Sequence, residues 1–355
     1  MASQVGRKPA PAASTPPRAR LRAAQPAHAV ACFCRIIVAA LANARRGRTW
    51  LDQPTGPSFV PNPNDHLHRF LLERAGVSGV LVQLEDAWQE VAGRSDYPPA
   101  VSALLGQALA ATAALTGTIK LSGNLSLHLR SKGDLSLLFT ECNDAGRLRG
   151  LAQWRGDTAD AAIDLAGQPE PLLAITIDNA ATGQRQQGLV PVEHGTLAQL
   201  LEGYFERSEQ LPSHIRLGCA NGRAAALILQ PLARSGGIGQ TDPDGWNRAC
   251  HLAATLSETE LLQLPPEQVL LRLFHEEDVR LTGERGLFFG CQCSRERVAA
   301  VLRNLGRSES EAALQPDGRI EVTCEFCNTR YHFDRVDLEQ VLRDLPETPG
   351  SATTH

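Results

Sequence analysis

The chain has 355 residues, of which 43% are hydrophobic and 21% charged. That is room for two or three domains of about 100–200 residues with proper cores, and it excludes a disulfide-stapled miniprotein. No uninterrupted run reaches the roughly 18–20 apolar residues of a membrane span, and the longest candidate, Ala29 to Ala42, carries Arg35 in its middle, so the sequence does not read as an integral membrane protein.

The net charge of −4 is unevenly placed. Nine basic residues against one acid precede Asp65, which leaves 26 basic against 38 acidic residues, a balance of −12, for the rest. A body that acidic repels phosphate backbones, so general nucleic-acid binding is not expected.

Residues 1–64 are rich in Ala, Pro and Arg, with Pro54, Pro57, Pro61 and Pro63 closing the segment. This composition buries too little surface to offset its ordering entropy and predicts a disordered extension. Its Arg-rich, acid-poor character also fits a transit peptide, and the apolar stretch after it faintly suggests a secretory signal, although Arg35 interrupts that stretch.

From Asp65 the chain reads as a fold. His66 to Glu73 suits a short opening strand or turn of helix, Val77 to Leu84 alternates like a strand, and Tyr97 to Gly117 is an Ala-rich buried helix started by Pro98 and Pro99. Leu125, Leu127 and Leu129, then Leu135, Leu137 and Phe139, alternate on either side of Ser131-Lys132-Gly133-Asp134, the pattern of a β-hairpin. Further strands are expected over Arg147–Arg155, Leu172–Asp178, Gln187–Val192 and Ala224–Leu229, interrupted by a helix from Thr196 to Phe205. Without a regular βαβ rhythm, the expected class is α+β, in a mixed α/β domain over 65–234.

Ser235-Gly236-Gly237-Ile238-Gly239 then breaks the chain. The segment 235–290 reads as a helical linker: Ser257 with Glu260 makes a capping box, Pro265-Pro266 stops that helix, and Val269, Leu270, Leu273 and Phe274 stripe the next. The acidic run Glu276-Glu277-Asp278 is expected to be a solvated face.

In the last segment, 291–345, Ser294 can cap a helix with Val298, Val301, Leu302 and Leu305 on one face and Gly306 at its end. Ile320-Glu321-Val322 and Tyr331-His332-Phe333 are expected as strands, and a final helix carries Leu338, Val341, Leu342 and Leu345. Residues 346–355 read as a disordered tail.

Nine cysteines sort by spacing. Cys142, Cys219 and Cys250 are isolated and most simply small buried hydrophobes, and Cys32 with Cys34 form a C-x-C that has no partner pair. Cys291 and Cys293 form a C-x-C, and Cys324 and Cys327 a C-x-x-C some thirty positions on. Four thiolates from two close pairs suit the all-sulfur tetrahedral coordination of one zinc ion, and a unit of about 55 residues with so little core needs such a staple. His275 and His332 are possible alternative ligands, though each reads more simply as an ordinary polar residue. Arg295 and Arg297, with a helix N-terminus, would help hold the dianionic centre. Oxidation of a pair would remove two ligands and unfold what the metal folds. A purely structural zinc module shares these features, so spacing alone leaves the switch open.

At these residues the chain resembles the redox-regulated chaperones called the 33 kDa chaperonins, a bacterial heat-shock family. The resemblance runs from about Asp65 to Leu345. It is carried by Asp65-His66-Leu67-His68-Arg69-Phe70, Tyr204-Phe205 with Ser208-Glu209-Gln210-Leu211-Pro212, Thr255-Leu256 with Glu260-Leu261-Leu262, and Leu273-Phe274-His275-Glu276-Glu277. Most specific are Cys291-Gln292-Cys293-Ser294-Arg295-Glu296-Arg297 and Cys324-Glu325-Phe326-Cys327 with Tyr331.

The resemblance implies a cytoplasmic, ATP-independent holdase and no enzyme. On that reading the reduced protein holds zinc on Cys291, Cys293, Cys324 and Cys327 and is a poor chaperone. Oxidation forms Cys291–Cys293 and Cys324–Cys327 disulfides, releases zinc, loosens the linker and exposes apolar surface to unfolding client proteins, with a homodimer as the active form. Neither nucleic acid nor membrane is an expected partner. A thiol–disulfide oxidoreductase fits less well, because C-x-x-C falls in a hairpin and not at a helix start beside a βαβ unit. A zinc-dependent nucleic-acid binder lacks a basic or aromatic stripe.

Overall fold

The computed structural model of the chain describes residues 64–156, 162–193, 195–232 and 242–343. The expected extension up to residue 63, with Cys32 and Cys34, the glycine-rich break and the C-terminal tail lie outside the described residues. These fall into two compact units, one holding 64–295 and 319–333, the other 296–318 and 334–343.

The larger unit opens with β1 (His66–Leu72) and β2 (Val77–Leu84), an antiparallel pair that settles the first expectation in favour of a strand. Asp65 is buried, and its carboxylate accepts the backbone N–H groups of Glu85 and Ala87 at 2.6 and 2.9 Å. It thereby anchors the start of α1 (Asp86–Ala92), a short helix absent from the sequence expectation. Burial raises the Asp65 carboxyl above its ordinary range, against the pull of those two hydrogen bonds.

Next come α2 (Pro99–Thr118), β3 (Gly123–Arg130), β4 (Leu135–Asn143), β5 (Arg147–Trp154), β6 (Leu172–Asn179), β7 (Arg185–Val190), α3 (Leu197–Ser208), β8 (His214–Ala220) and β9 (Arg223–Pro231). Strand β8 is the one strand of this stretch that the sequence reading omits. Helix α2 is apolar all round because it is packed all round: it lies against β2, β8 and β9 on one side and β3, β4 and β5 on the other. Among the described residues it alone is long and apolar enough to cross a membrane, and most of it is buried in the fold.

The hairpin expected around Ser131–Asp134 is present, with Leu129 opposite Leu138 and His128 opposite Phe139. Its second strand, however, does not alternate as expected. An irregularity between Leu135 and Leu137 shifts the register, so Leu135 and Leu138 face the core with Leu125, Leu127 and Leu129 while Leu137 and Phe139 turn to the outer face.

The linker contains α4 (Gly245–Ala254), α5 (Glu258–Gln263) and α6 (Pro266–Phe274). Ser257 and Glu260 form the expected capping box on α5, and Pro265 caps α6 as well as ending α5. These helices cover the face of β1, β2 and β9 that α2 does not: Phe70, Leu81 and Leu227 join Ala249, Leu261, Val269 and Phe274 in one buried cluster, with Phe70 and Phe274 stacked at 6.1 Å. Gly79 leaves the space, since a Cβ there would lie 2.1 Å from the Phe70 ring.

Two expectations for this segment need correction. After Phe274 the chain is no longer helical: β10 (Val279–Gly286) pairs antiparallel with β1, and β11 (Phe288–Phe289) pairs parallel with β5. The sheets are thus ordered β10-β1-β2-β9-β8 and β11-β5-β4-β3-β6-β7. β10 escapes a periodicity search because it is an exposed edge rich in charge, without an apolar alternation to read. Of the acidic run, Glu276 and Asp278 are exposed as expected, but Glu277 between them is only 2% exposed.

The smaller unit begins with α7 (Arg295–Leu305), whose Arg295 belongs to the larger one, and continues with α8 (Arg307–Ala312). In the larger unit β12 (Arg319–Thr323) and β13 (Arg330–Asp334) pair as a hairpin. Helix α9 (Arg335–Leu342) completes the smaller unit, capped reciprocally by Asp334 and Asp337. There Arg303 donates to the Val341 carbonyl at 2.9 Å, and Arg307 holds both carboxylate oxygens of Glu339 at 2.8 and 3.2 Å.

Candidate metal centre

The turn between β12 and β13 is a knuckle. Cys324 N–H donates to the Thr329 carbonyl at 2.9 Å, Asn328 N–H to the Cys324 carbonyl at 2.7 Å, and Asn328 takes a left-handed φ of 57° to close it. Cys291 and Cys293 sit on the stretch between β11 and α7. All four sulfurs lie within 4.8 Å of one another, none in a disulfide, with Cys291 and Cys324 Sγ 3.6 Å apart and Cys293 and Cys327 Sγ 3.2 Å apart. A tetrahedron with zinc–sulfur bonds of about 2.3 Å has edges of about 3.8 Å, so the four sulfurs fit a zinc ion. Neither His275 nor His332 belongs to this cluster.

The thiols share charge unequally. The hydrogen bond from Cys324 is the main cause that pushes Cys291 down to about 4, against its burial, and the same bond together with burial raises Cys324. Burial pushes Cys293 up to about 11, against a hydrogen bond with the Tyr331 hydroxyl. A thiolate at Cys291 is the soft anionic donor a zinc ion takes.

Of the two expected supporting arginines, Arg295 braces β13: Nη1 donates to the His332 carbonyl at 2.6 Å and its guanidinium lies 4.4 Å from the Phe333 ring centroid. Arg297 lies in the first turn of α7. The sequence reading missed Arg149 on β5. Burial disfavours its charge, yet the Glu141 carboxylate, by charge and hydrogen bonds, and then the Cys291 thiolate raise its proton affinity above the ordinary value. Its Nε and Nη2 donate to Glu141 at 3.0 and 3.1 Å, and its guanidinium stands 4.6 Å from the centre of the Phe326 ring. The signal available was the hairpin register, which places Glu141 opposite Arg149.

The knuckle is fastened to the second sheet. Phe326 meets Phe139 edge-on at 5.7 Å, Gln153 Nε2 donates to Glu325 at 2.9 Å, Arg94 Nη1 donates to the Cys327 carbonyl at 3.4 Å, and Asn328 Nδ2 donates to the Arg94 carbonyl at 2.7 Å.

The model of the Hsp33 protein family matches residues 65–334. The chain belongs to the Hsp33 family. The 33 kDa chaperonin of Nitrosococcus oceani is 43% identical over 295 residues, 83% of this chain and 100% of that protein. That of Shewanella denitrificans is 42% identical over 291 residues, 81% of this chain and 99% of the relative. The crystal structure of the 33 kDa chaperonin from Thermotoga maritima superposes with a TM-score of 0.67 at 21% identity, covering 79% of this chain and 98% of that one, which shows the shared fold. Hsp33 membership agrees with the resemblance carried by the cysteine motifs, and the mixed α/β architecture with a four-cysteine cluster is the one expected.

Proposed function

We propose that this chain is a redox-regulated, ATP-independent chaperone that holds unfolding client proteins, and that its regulator is the four-cysteine centre. The observation that carries this reading is the set of four free sulfurs within 4.8 Å, two on the knuckle and two just beyond the linker. In the reduced protein Cys291, Cys293, Cys324 and Cys327 hold one zinc ion, which supplies a tetrahedral tie worth roughly 10–16 kcal/mol of folding free energy. The domains follow as a client-binding domain over 65–234, a metastable linker over 235–290 and a redox-switch domain over 291–345.

With a peroxide as oxidant the chemistry balances. One thiolate attacks the O–O bond, leaving a sulfenic acid and hydroxide; its partner then displaces the second hydroxide, forming the S–S bond, and both hydroxides take up protons to become water. Cys291 with Cys293 and Cys324 with Cys327 are the pairs. Each disulfide removes two donors from the centre, so order that depends on the tie is lost. What the linker then uncovers is the apolar face of β1, β2 and β9 under α4–α6, a surface suited to unfolded chains and not to a reaction. The chain acts in the cytoplasm as a homodimer when oxidised, without nucleic acid or membrane as partner.

Metal content, free-thiol count and suppression of aggregation of a denatured protein, each measured before and after peroxide, test this. Zinc and four reactive thiols lost together with a gain of suppression are expected. A C-terminal region equally compact after chelation and peroxide would overturn the reading.

A further inference from the structure

The outer face of the second sheet carries a cross-strand row. Leu189 pairs with Ala174, Ala174 with His128, His128 with Phe139 and Phe139 with Leu151, so all five lie on one face. At one end Leu189 is 59% exposed; at the other Phe139 and Leu151 are 6% and 3% exposed. The knuckle sits at the buried end. Its Phe326 ring occupies a seat between the edge of Phe139 and the guanidinium of Arg149, which Glu141 holds in place with two hydrogen bonds. Around the seat, Arg94 takes the backbone carbonyl one residue after the aromatic ring, and Gln153 the polar side chain one residue before it.

These contacts are those of a peptide-binding site for an aromatic residue: a ring against a ring edge and a cation, and a donor for the neighbouring main chain. We infer that the Cys324–Cys327 knuckle is an internal stand-in for client, occupying on the outer face of the second sheet a seat that takes an aromatic side chain of an unfolded polypeptide once the knuckle comes away. The inference rests on the chaperone reading and adds a second surface to it, on the sheet opposite the one the linker covers. While the knuckle is folded its tether gives it a high effective concentration at the seat, and a free chain competes poorly. The exposed Leu189 end of the row offers the same client a continuing apolar track.

To test this, Gln153 is replaced by a photoreactive phenylalanine analogue in the full chain, and reduced carboxymethylated α-lactalbumin serves as the permanently unfolded probe. Illumination of the reduced protein is expected to cross-link position 153 to residues 324–328, and after peroxide to the probe. In parallel, Phe139→Ala is expected to weaken binding of the probe to the oxidised protein about tenfold, the effect of losing one aromatic partner. If the oxidised protein retains the probe while position 153 forms no adduct with it and Phe139→Ala binds as tightly as the parent, the seat is not a client site and the chaperone reading stands. Failure of the oxidised parent to retain the probe at all overturns both.

Discussion

Glu277 accepts two hydrogen bonds from the guanidinium of Arg248, at 2.5 Å to Oε1 and 3.0 Å to Oε2, and its side chain is only 3% exposed. The pair joins α4 to the turn before β10, and Arg248 also holds Asp242 at 2.7 Å. On the same corner, the Glu277 carbonyl accepts the Arg74 backbone N–H, and Arg74 Nη1 donates to the Glu276 carbonyl at 2.8 Å. Glu277→Ala leaves the guanidinium without its buried partner and is expected to cost about 1–3 kcal/mol. The loss should be local, read as faster amide hydrogen exchange over α4–α6 in the reduced protein with α2 unchanged.

Gly245 opens α4 where the β1–β2 turn passes closest. A Cβ there would sit 2.5 Å from the Ala75 carbonyl oxygen and 2.6 Å from its Cα, backbone atoms that cannot swing aside. Gly245→Ala should therefore push α4 off the sheet at a cost of about 1–3 kcal/mol. Limited trypsin digestion of the reduced, zinc-loaded protein is expected to cut within the linker at a rate the parent reaches only after peroxide.

Removing one sulfur from the centre tests the tie itself. Cys291→Ser or Cys327→Ser is expected to weaken zinc binding by more than the roughly 10–100-fold that loss of an outer hydrogen-bond partner costs. It should also loosen the linker without oxidant. Competition with a chromogenic chelator gives the affinity, and an unchanged protease pattern with tight metal binding would count against the assignment.

His128 stands on the outer sheet face beside Phe139, where burial, assisted by the Arg130 charge, pushes it down to about 4. It is neutral in the folded protein, whereas in the unfolded chain it takes up a proton near pH 6.5. Stability is therefore full above about pH 6.5 and falls as the pH drops toward about 4, by up to about 3 kcal/mol from this residue. Urea unfolding of the parent and of His128→Gln across pH 4–7 is expected to show a shallower acid slope in the variant.

Features that depend on neighbours in sequence were legible before the fold was known. The Ala-rich α2, the Ser257–Glu260 box and the C-x-C and C-x-x-C pairs each satisfy their chemistry within a few residues. The features that were not legible depend on distant partners. Nothing local marks Val279–Gly286 as a strand, because its hydrogen bonds come from β1 some two hundred residues earlier in the chain. The alternation of Leu135, Leu137 and Phe139 does not predict the outward turn of Phe139, because the irregularity after Leu135 turns the strand over. Arg149 reads as an ordinary outward-facing arginine until the hairpin register, Phe326 and the distant sulfurs are assembled around it.

The pairing of β10 with β1 has a topological consequence. With β10 in place, β1 is an interior strand. Should β10 peel away with the rest of the linker, β1 becomes a sheet margin with a row of unsatisfied amides and carbonyls, the kind of template that recruits an extended segment from another molecule. The same separation that bares greasy side chains would thus also offer a main-chain rail, indifferent to the sequence of whatever docks along it.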